Sequence, residues 1–289
     1  MKIVILGAMG MLGRALVREF ARRSLSVIQV SRNEPMHFDG SKSSVEALVR
    51  DFELGEGDFV LNTVGQVKSQ IEETDLRSMR EALNANTFLP LLLAEEAESR
   101  GFRIIAPATD CVFSGKEGNY SEYSHHDPQD VYGKSKSLGE VMSRQVLNIR
   151  CSFVGPEANT RKMLMEWVRH LEFNAQVQGY TDHYWNGVTV DTLARLFAGL
   201  VESHSTLHGT YHFIPADVVT KHQLLLMLTE RLSRGDITVN PSESPSPTNR
   251  VLVTEYDETN LALWKLAGYN FPQPVRSLVR DQQIEEAGN

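Results

Sequence analysis

Met1-Lys2-Ile3-Val4-Ile5-Leu6-Gly7-Ala8-Met9-Gly10-Met11-Leu12-Gly13 opens the chain. The apolar run Lys2–Leu6 reads as a buried strand, and Met11–Arg22 carries the apolar spacing of an amphipathic helix. Between them stand Gly7, Gly10 and Gly13 in a G-x-x-G-x-x-G pattern. Glycines in a strand-to-helix turn let the backbone bend sharply and approach a pyrophosphate, which the positive end of the helix attracts. Gly7, Met9, Gly10, Met11, Leu12 and Gly13 are therefore the first candidate cofactor contacts. An ordinary strand–helix turn is the alternative.

The same alternation continues outward. Leu25–Val30 reads as a strand, Ser44–Asp51 as a short helix, and Asp58–Thr63 as a strand. Leu76–Arg100 is helical and stops at Gly101; Arg103–Ala108 is a strand, Ser135–Arg144 a helix and Val146–Cys151 a strand. Alternating strands and helices predict an α/β fold: a Rossmann-type doubly wound parallel sheet, with ligands beyond the carboxyl ends of its strands. After Cys151 the rhythm breaks. Helices are expected at Thr160–Phe173, Val188–Val201 and Thr220–Arg234, a strand at Gly209–Ile214, and a Ser/Pro loop at Pro241–Pro247. The expected organisation is a dinucleotide-binding domain of residues 1–155 plus about 184–215. A smaller C-terminal α/β substrate-binding lobe takes about 156–183 and 216–289.

Ser31 and Arg32 follow the second strand, where dinucleotide sites that prefer NAD commonly place an acid on the ribose 2′-hydroxyl. An arginine there can accommodate a 2′-phosphate, so NADP(H) is the expected cofactor and NAD(H) the second choice; a solvated surface arginine is the other reading. Asp39, after Phe38, could accept from an adenine amino group. Asn62, Thr63 and Val64 end the third strand, where the cofactor ribose would pass.

Tyr132 and Lys136 lie four residues apart, on one face of a helix and about 6 Å apart along its axis. An ammonium beside a phenol favours the phenolate, which would let the tyrosine give and take a proton near neutral pH. Thr109, after the fourth strand, supplies a hydroxyl for a substrate carbonyl. A surface helix and a satisfied strand-end threonine are the plainer alternatives.

Taken together, Gly7-x-x-Gly10-x-x-Gly13, Thr109-Asp110-x-Val112-Phe113-x-Gly115 and Val131-Tyr132-Gly133-Lys134-x-Lys136 resemble the extended short-chain dehydrogenase/reductases. Within them the chain looks like the dTDP-4-dehydrorhamnose reductase family. Asn86 and Pro90 fit the family's Asn-x-x-x-Pro helix, Ile149-Arg150-x-Ser152 its following strand, and Tyr184–Thr189 a run in sugar-reductase relatives. The resemblance implies NADPH-dependent reduction of a nucleotide-linked 4-keto-6-deoxysugar, in polysaccharide biosynthesis. Tyr132 would protonate the ketone oxygen, Lys136 would hold the nicotinamide ribose and lower the Tyr132 pKa, Thr109 would bind the carbonyl, and Asn86 would support Lys136. Cys111, Val112, Phe113, Ser152, Phe153, Trp185, Asn186 and Arg250 are the expected substrate contacts, Arg250 by a bidentate grip on a diphosphate, with a surface arginine and core packing as the alternatives for Arg250 and Trp185. Sugar 4,6-dehydratases pair the threonine with Asp-Glu; here Cys111 follows Asp110, so elimination lacks its glutamate. Cys111, Ala108 and Phe153 stand where the family has tyrosine, serine and tryptophan. Two other functions stay open: a non-catalytic NADP-binding regulatory subunit, as in methionine adenosyltransferase, and a nucleotide-sugar epimerase.

The remaining features narrow the class by exclusion. With 41% hydrophobic and 23% charged residues in 289, the chain can bury a full core. A net charge of −8 argues against nucleic acid or anionic lipid as a partner. Only Cys111 and Cys151 are present, so neither a disulfide framework nor a Cys-based zinc site is expected. The apolar start is too short for a signal peptide and no run reaches a membrane span. A cytoplasmic protein is expected, with a homodimer as one compatible assembly. His125-His126-Asp127 resembles a metal cluster but reads as a solvated loop, and no metal is expected. His183 and Tyr184 are further candidates to stack on a sugar or base. The stripe Leu224, Leu225, Leu228 and Leu232 reads as core or a partner face.

Overall fold

The computed structural model describes residues 1–32, 44–157 and 163–284. Six parallel strands form the central sheet, in the order β10-β5-β4-β3-β1-β2. They are β1 (Ile3–Leu6), β2 (Ile28–Val30), β3 (Phe59–Asn62), β4 (Arg103–Ala108), β5 (Val146–Arg150) and β10 (Gly209–His212). The order reverses between β1 and β3, which opens a crevice at their carboxyl ends.

Alternate strand residues face opposite cores, as the two-residue period requires. Ile3 and Ile5 join Leu61, Leu147 and Ile149 on one face, while Val4 and Leu6 join Val60, Ile104 and Val146 on the other. Helices α1 (Met11–Arg22), α7 (Val190–Glu202) and α9 (Asp257–Leu266) cover the first face. Helices α2 (Val45–Asp51) and α4 (Leu89–Arg100) cover the second. Trp264 of α9 is fully buried against Phe213 and donates its indole N–H to the Ile214 carbonyl at 2.8 Å. Thus α9 packs on the sheet side, although the sequence reading assigned 216–289 to the lobe.

The lobe packs α6 (Leu164–Arg169), α8 (Lys221–Arg231) and α10 (Val275–Asp281) around Leu224, Leu225 and Leu228, so the leucine stripe is core. Its strands are short. β7 (Gln176–Tyr180) pairs with β12 (Thr238–Ser242); β8 (His183–Trp185) pairs with β11 (Val219–Thr220) and β13 (Thr248–Asn249); and β6 (Phe153–Val154) pairs with β9 (Val188–Thr189). β12 includes Pro241, inside the segment read as a loop. A two-stranded sheet has edges on both sides, where the missing proline N–H costs nothing.

Two helices run differently from the pattern in the sequence. α3 (Leu76–Leu83) passes through a π-helical turn at Asn84–Phe88 into α4, with Pro90 just inside α4. A proline cannot donate to the carbonyl four residues back, and the widened turn absorbs that loss. α5 is Val131–Leu138 rather than 135–144, because Asp130 caps its start by accepting the Gly133 N–H at 2.8 Å and Gly139 closes it. Among described residues the helix expected from Thr160 is confined to α6, with 158–162 outside the described region. No helix among the described residues is long and apolar enough to cross a membrane.

Gly13 shows how tightly α1 is seated. A Cβ there would fall 2.1 Å from the Gly7 carbonyl oxygen. Gly13→Val must push α1 off β1, and a loss of roughly 2–3 kcal/mol or more is expected. A urea midpoint unchanged from the unsubstituted protein would contradict this.

Candidate active site

The turn after β1 places Gly10 at the N-cap of α1, and no side chain caps the helix. The first turn carries no acid, so its orphan amides and the helix dipole are left for an anion. Thr63 closes the turn from β3, its hydroxyl donating to the carbonyls of Leu6 at 2.7 Å and Gly7 at 3.2 Å. Asn62 is buried and accepts the Val64 N–H at 3.3 Å. Gly7, Met9, Met11, Leu12, Gly13, Asn62, Thr63 and Val64 thus gather at the switch between β1 and β3. The uncapped amides fit a pyrophosphate. Ser31 and exposed Arg32 follow β2 directly. Phe38 and Asp39 lie outside the described residues.

Past β4, Thr109 caps a 3-10 turn at Asp110–Val112, its Oγ1 accepting the Cys111 N–H at 3.2 Å. α5 is pressed onto this turn. A Cβ on Gly133 would stand 2.3 Å from the Cys111 carbonyl oxygen, so only glycine lets Tyr132 come this close to Thr109. Burial, and then the neighbouring Cys111, push the Tyr132 phenol above its usual range, while the Thr109 hydroxyl pulls the other way. Burial likewise pushes the Cys111 thiol up to about 12. Lys136 Nζ donates to the Pro107 carbonyl at 3.0 Å, and burial lowers its pKa against the pull of Glu140. Lys136 is therefore held by strand β4, and the phenol stays protonated. The expected lowering of the Tyr132 pKa by Lys136 does not appear; burial, the largest influence, raises it.

Asn86 reaches one residue short of its expected partner. Its amide donates to Gln66 O at 2.9 Å and to Ser135 Oγ at 3.0 Å, and its carbonyl oxygen accepts the Gln66 N–H at 2.9 Å. Thr87 adds a 2.7 Å bond to the Ser135 carbonyl. The π turn therefore clamps α5 beside Lys136 without touching Lys136 itself.

The expected substrate residues divide into two groups. Ser152, Phe153 and Trp185 line one cavity, and Cys111 sits half-buried by Thr109. Val112 and Phe113 are fully buried, Phe113 stacked on Tyr120 at 4.3 Å, so they shape the turn from within. Asn186 is consumed by Leu252, donating to its carbonyl at 2.7 Å and accepting its N–H at 3.0 Å. Arg250 donates from Nε to Phe113 O at 2.8 Å, which pins the loop instead of freeing both fork arms for a diphosphate. Arg250 also acts on Asp110, whose carboxyl burial pushes up and Arg250 pulls down.

The RmlD substrate binding domain matches residues 1–268. The chain belongs to that family. A probable dTDP-4,6-dihydroxy-2-methyloxan-3-one 4-ketoreductase of Streptomyces antibioticus is 33% identical over 97% of this chain and 94% of that protein. Methionine adenosyltransferase 2 subunit beta of Xenopus tropicalis is 31% identical over 48% of this chain, and the match spans only 41% of that relative's length. The fold of a Bacillus anthracis dTDP-4-dehydrorhamnose reductase crystallised with NADP superposes with a TM-score of 0.77, at 18% identity over 96% of this chain and 98% of that one.

Two features of this RmlD-family chain escaped the sequence reading. Lys221, at the start of α8, lines the same cavity as Ser152 and Trp185. The second is a buried polar hub. Arg150 donates to Glu140 and to the Nε2 atoms of His212 at 2.8 Å and His126 at 2.9 Å. His126 also meets Ser137 of α5 at 2.8 Å, so its ring is half-buried in this network, while the neighbouring His125 is exposed. Among described residues, no three His, Cys, Asp or Glu side chains are placed to share a metal.

A guanidinium cannot accept, so both imidazoles must be neutral at Nε2. Burial and Arg150 pull His212 down to about 4 from an ordinary 6.5. Between those pH values the unfolded chain binds a proton that the folded chain refuses, so stability present above about pH 6.5 drains away as pH falls toward 4. We expect a loss on the order of 2–3 kcal/mol across that window, with a shallower slope in His212→Gln. Urea midpoints at stepped pH values measure it, and identical slopes in both proteins would exclude His212 as the cause.

Proposed function

We propose that this protein reduces the ketone of a nucleotide-linked 4-keto-6-deoxysugar with NADPH. The observation that carries this reading is the hydrogen bond that seats the buried Tyr132 phenol against Thr109 beside the β1–β3 crevice. NADPH, when bound, supplies the hydride. Thr109 and Tyr132 together offer two hydroxyls to one carbonyl oxygen, and Tyr132 gives its proton as negative charge develops there. Lys136 would hold a ribose hydroxyl of the cofactor. Ser31 and Arg32 would receive the 2′-phosphate, and Gly7, Gly10 and Gly13 the pyrophosphate. Cys111 follows Asp110 where a dehydratase would need a glutamate, which favours simple reduction.

The match to methionine adenosyltransferase 2 subunit beta over about half of the chain favours a second reading, a regulatory partner of another enzyme. NADPH-oxidation assays on a panel of nucleotide keto sugars separate the two. Turnover supports reduction. Absent turnover on every sugar, with stoichiometric capture of a methionine adenosyltransferase catalytic subunit, supports the second.

Tyr132→Phe should keep the fold and lose about 10²–10⁴-fold in kcat. Full activity in that variant would overturn the proton-donor role. NADPH should bind more tightly than NADH by titration, and Arg32→Ala should shrink the difference. Equal affinities in the unsubstituted protein would remove Arg32 from the site.

A further inference from the structure

Where the sheet meets the lobe, a cavity of about 170 Å³ lies between Met11 of α1, Ser152 and Phe153 after β5, Leu164 of α6, Trp185 of β8 and Lys221 of α8. Besides the Trp185 indole, two of the side chains that line it can donate a hydrogen bond, Ser152 and Lys221. Ser152 Oγ accepts the Trp185 indole N–H at 2.8 Å and donates to no other group in the described chain. Its own proton is therefore available. The half-buried Lys221 ammonium makes no hydrogen bond or ion pair among the described residues, and burial lowers its pKa while Asp110 opposes that.

The start of α8 does not call for a lysine. Helix α8 is already capped: Thr220 Oγ1 accepts the Gln223 N–H at 3.2 Å and Gln223 Oε1 accepts the Thr220 N–H at 2.8 Å. A cation in the first turn opposes the helix dipole, where an acid would stabilise. The nearby carboxylate does not balance it either. Asp110 feels Arg250 more strongly than Lys221, so two cations surround one carboxyl that is itself pushed toward protonation. The local field, the uncompensated ammonium and the positive end of α8 all favour an incoming anion.

We propose that Lys221, with Ser152, is a specificity-determining pair that takes an anionic oxygen of the sugar nucleotide. That oxygen belongs to the nucleotide diphosphate, since a 6-deoxysugar carries a methyl group at C6 and no carboxylate. The inference rests on the reading of the ligand as a sugar nucleotide. It makes the cavity selective by charge, with Trp185 and Phe153 supplying the apolar walls against a ring.

Calorimetric titration of the NADPH-loaded protein with UDP and dTDP, their glucose conjugates and their glucuronic acid conjugates tests it. Trp185 fluorescence gives a second readout. Lys221→Met should weaken binding about tenfold to a hundredfold, and Lys221→Arg should restore most of it. Equal loss across all six ligands is expected, because each carries the diphosphate; loss confined to the glucuronic acid conjugates overturns the assignment to the diphosphate. The melting temperature of Lys221→Met should hold or rise, since a cation leaves a helix N-terminus, whereas a structural lysine would lower it. Unchanged affinity for every ligand in Lys221→Met overturns the proposal while leaving the sugar-nucleotide reading intact. If the unsubstituted, NADPH-binding protein takes none of the six, that reading fails and the proposal with it.

Discussion

Everything near the site hangs on the burial of one guanidinium. Arg150 ends β5 at 2% exposure, and each of its partners comes from a different segment. Glu140 follows helix α5, His126 lies in the loop between β4 and α5, and His212 ends β10. A buried cation is tolerable only if its donors are met by acceptors and its charge by a carboxylate. Those demands fix the histidine tautomers, draw α5 onto the sheet edge, and pass through His212 Nδ1 to Val253 O at 2.6 Å. The aromatic face of Phe113 adds a further contact, 5.2 Å from the guanidinium carbon. Breaking this hub would loosen helix α5 and the segment around Val253 together.

The parts of this design that were legible in the sequence are those written in short, local spacing. The strand–glycine–helix start, the Thr109 turn and the Tyr132–Lys136 pair each declare themselves within a few residues. Each is also a place where the backbone can do only one thing. The alternating faces of β1, β3 and β5 were legible only as apolar runs, because both sides of a parallel sheet are buried. The lobe was harder. Its strands are two to five residues long, too short to show a period. Asn186 looked like a ligand contact, but its partner Leu252 is 66 positions away, and no local pattern announces such a pairing. Val112 and Phe113 looked like pocket residues because they adjoin Thr109, yet the turn rolls them inward.

The two missed features have different causes. The Arg150 hub spans residues from 126 to 212, and its members are individually ordinary in sequence. Lys221 did leave a signal. A capped helix that begins with lysine breaks the rule of acids first, and a local rule broken without compensation marks a site more often than an accident. That signal becomes readable only beside the helix start, which the sequence placed correctly at Thr220.

The protonation states of the site form one system. Burial raises Tyr132, Cys111 and Asp110 toward their neutral forms and lowers Lys136 and Lys221 toward theirs. A pocket that disfavours every charge it owns is one in which the charge of a ligand counts heavily, because little water screens it. In the proposed reduction the acid must hold its proton until the carbonyl oxygen becomes basic, and a phenol kept neutral by burial and flanking acids meets that need. A phenol ionised in advance by Lys136 would instead have to be recharged before each turnover. The Lys136 ammonium is anchored on the Pro107 carbonyl, while burial and the neighbouring Cys111, Asp110 and Asp130 hold the Tyr132 phenol in its neutral form.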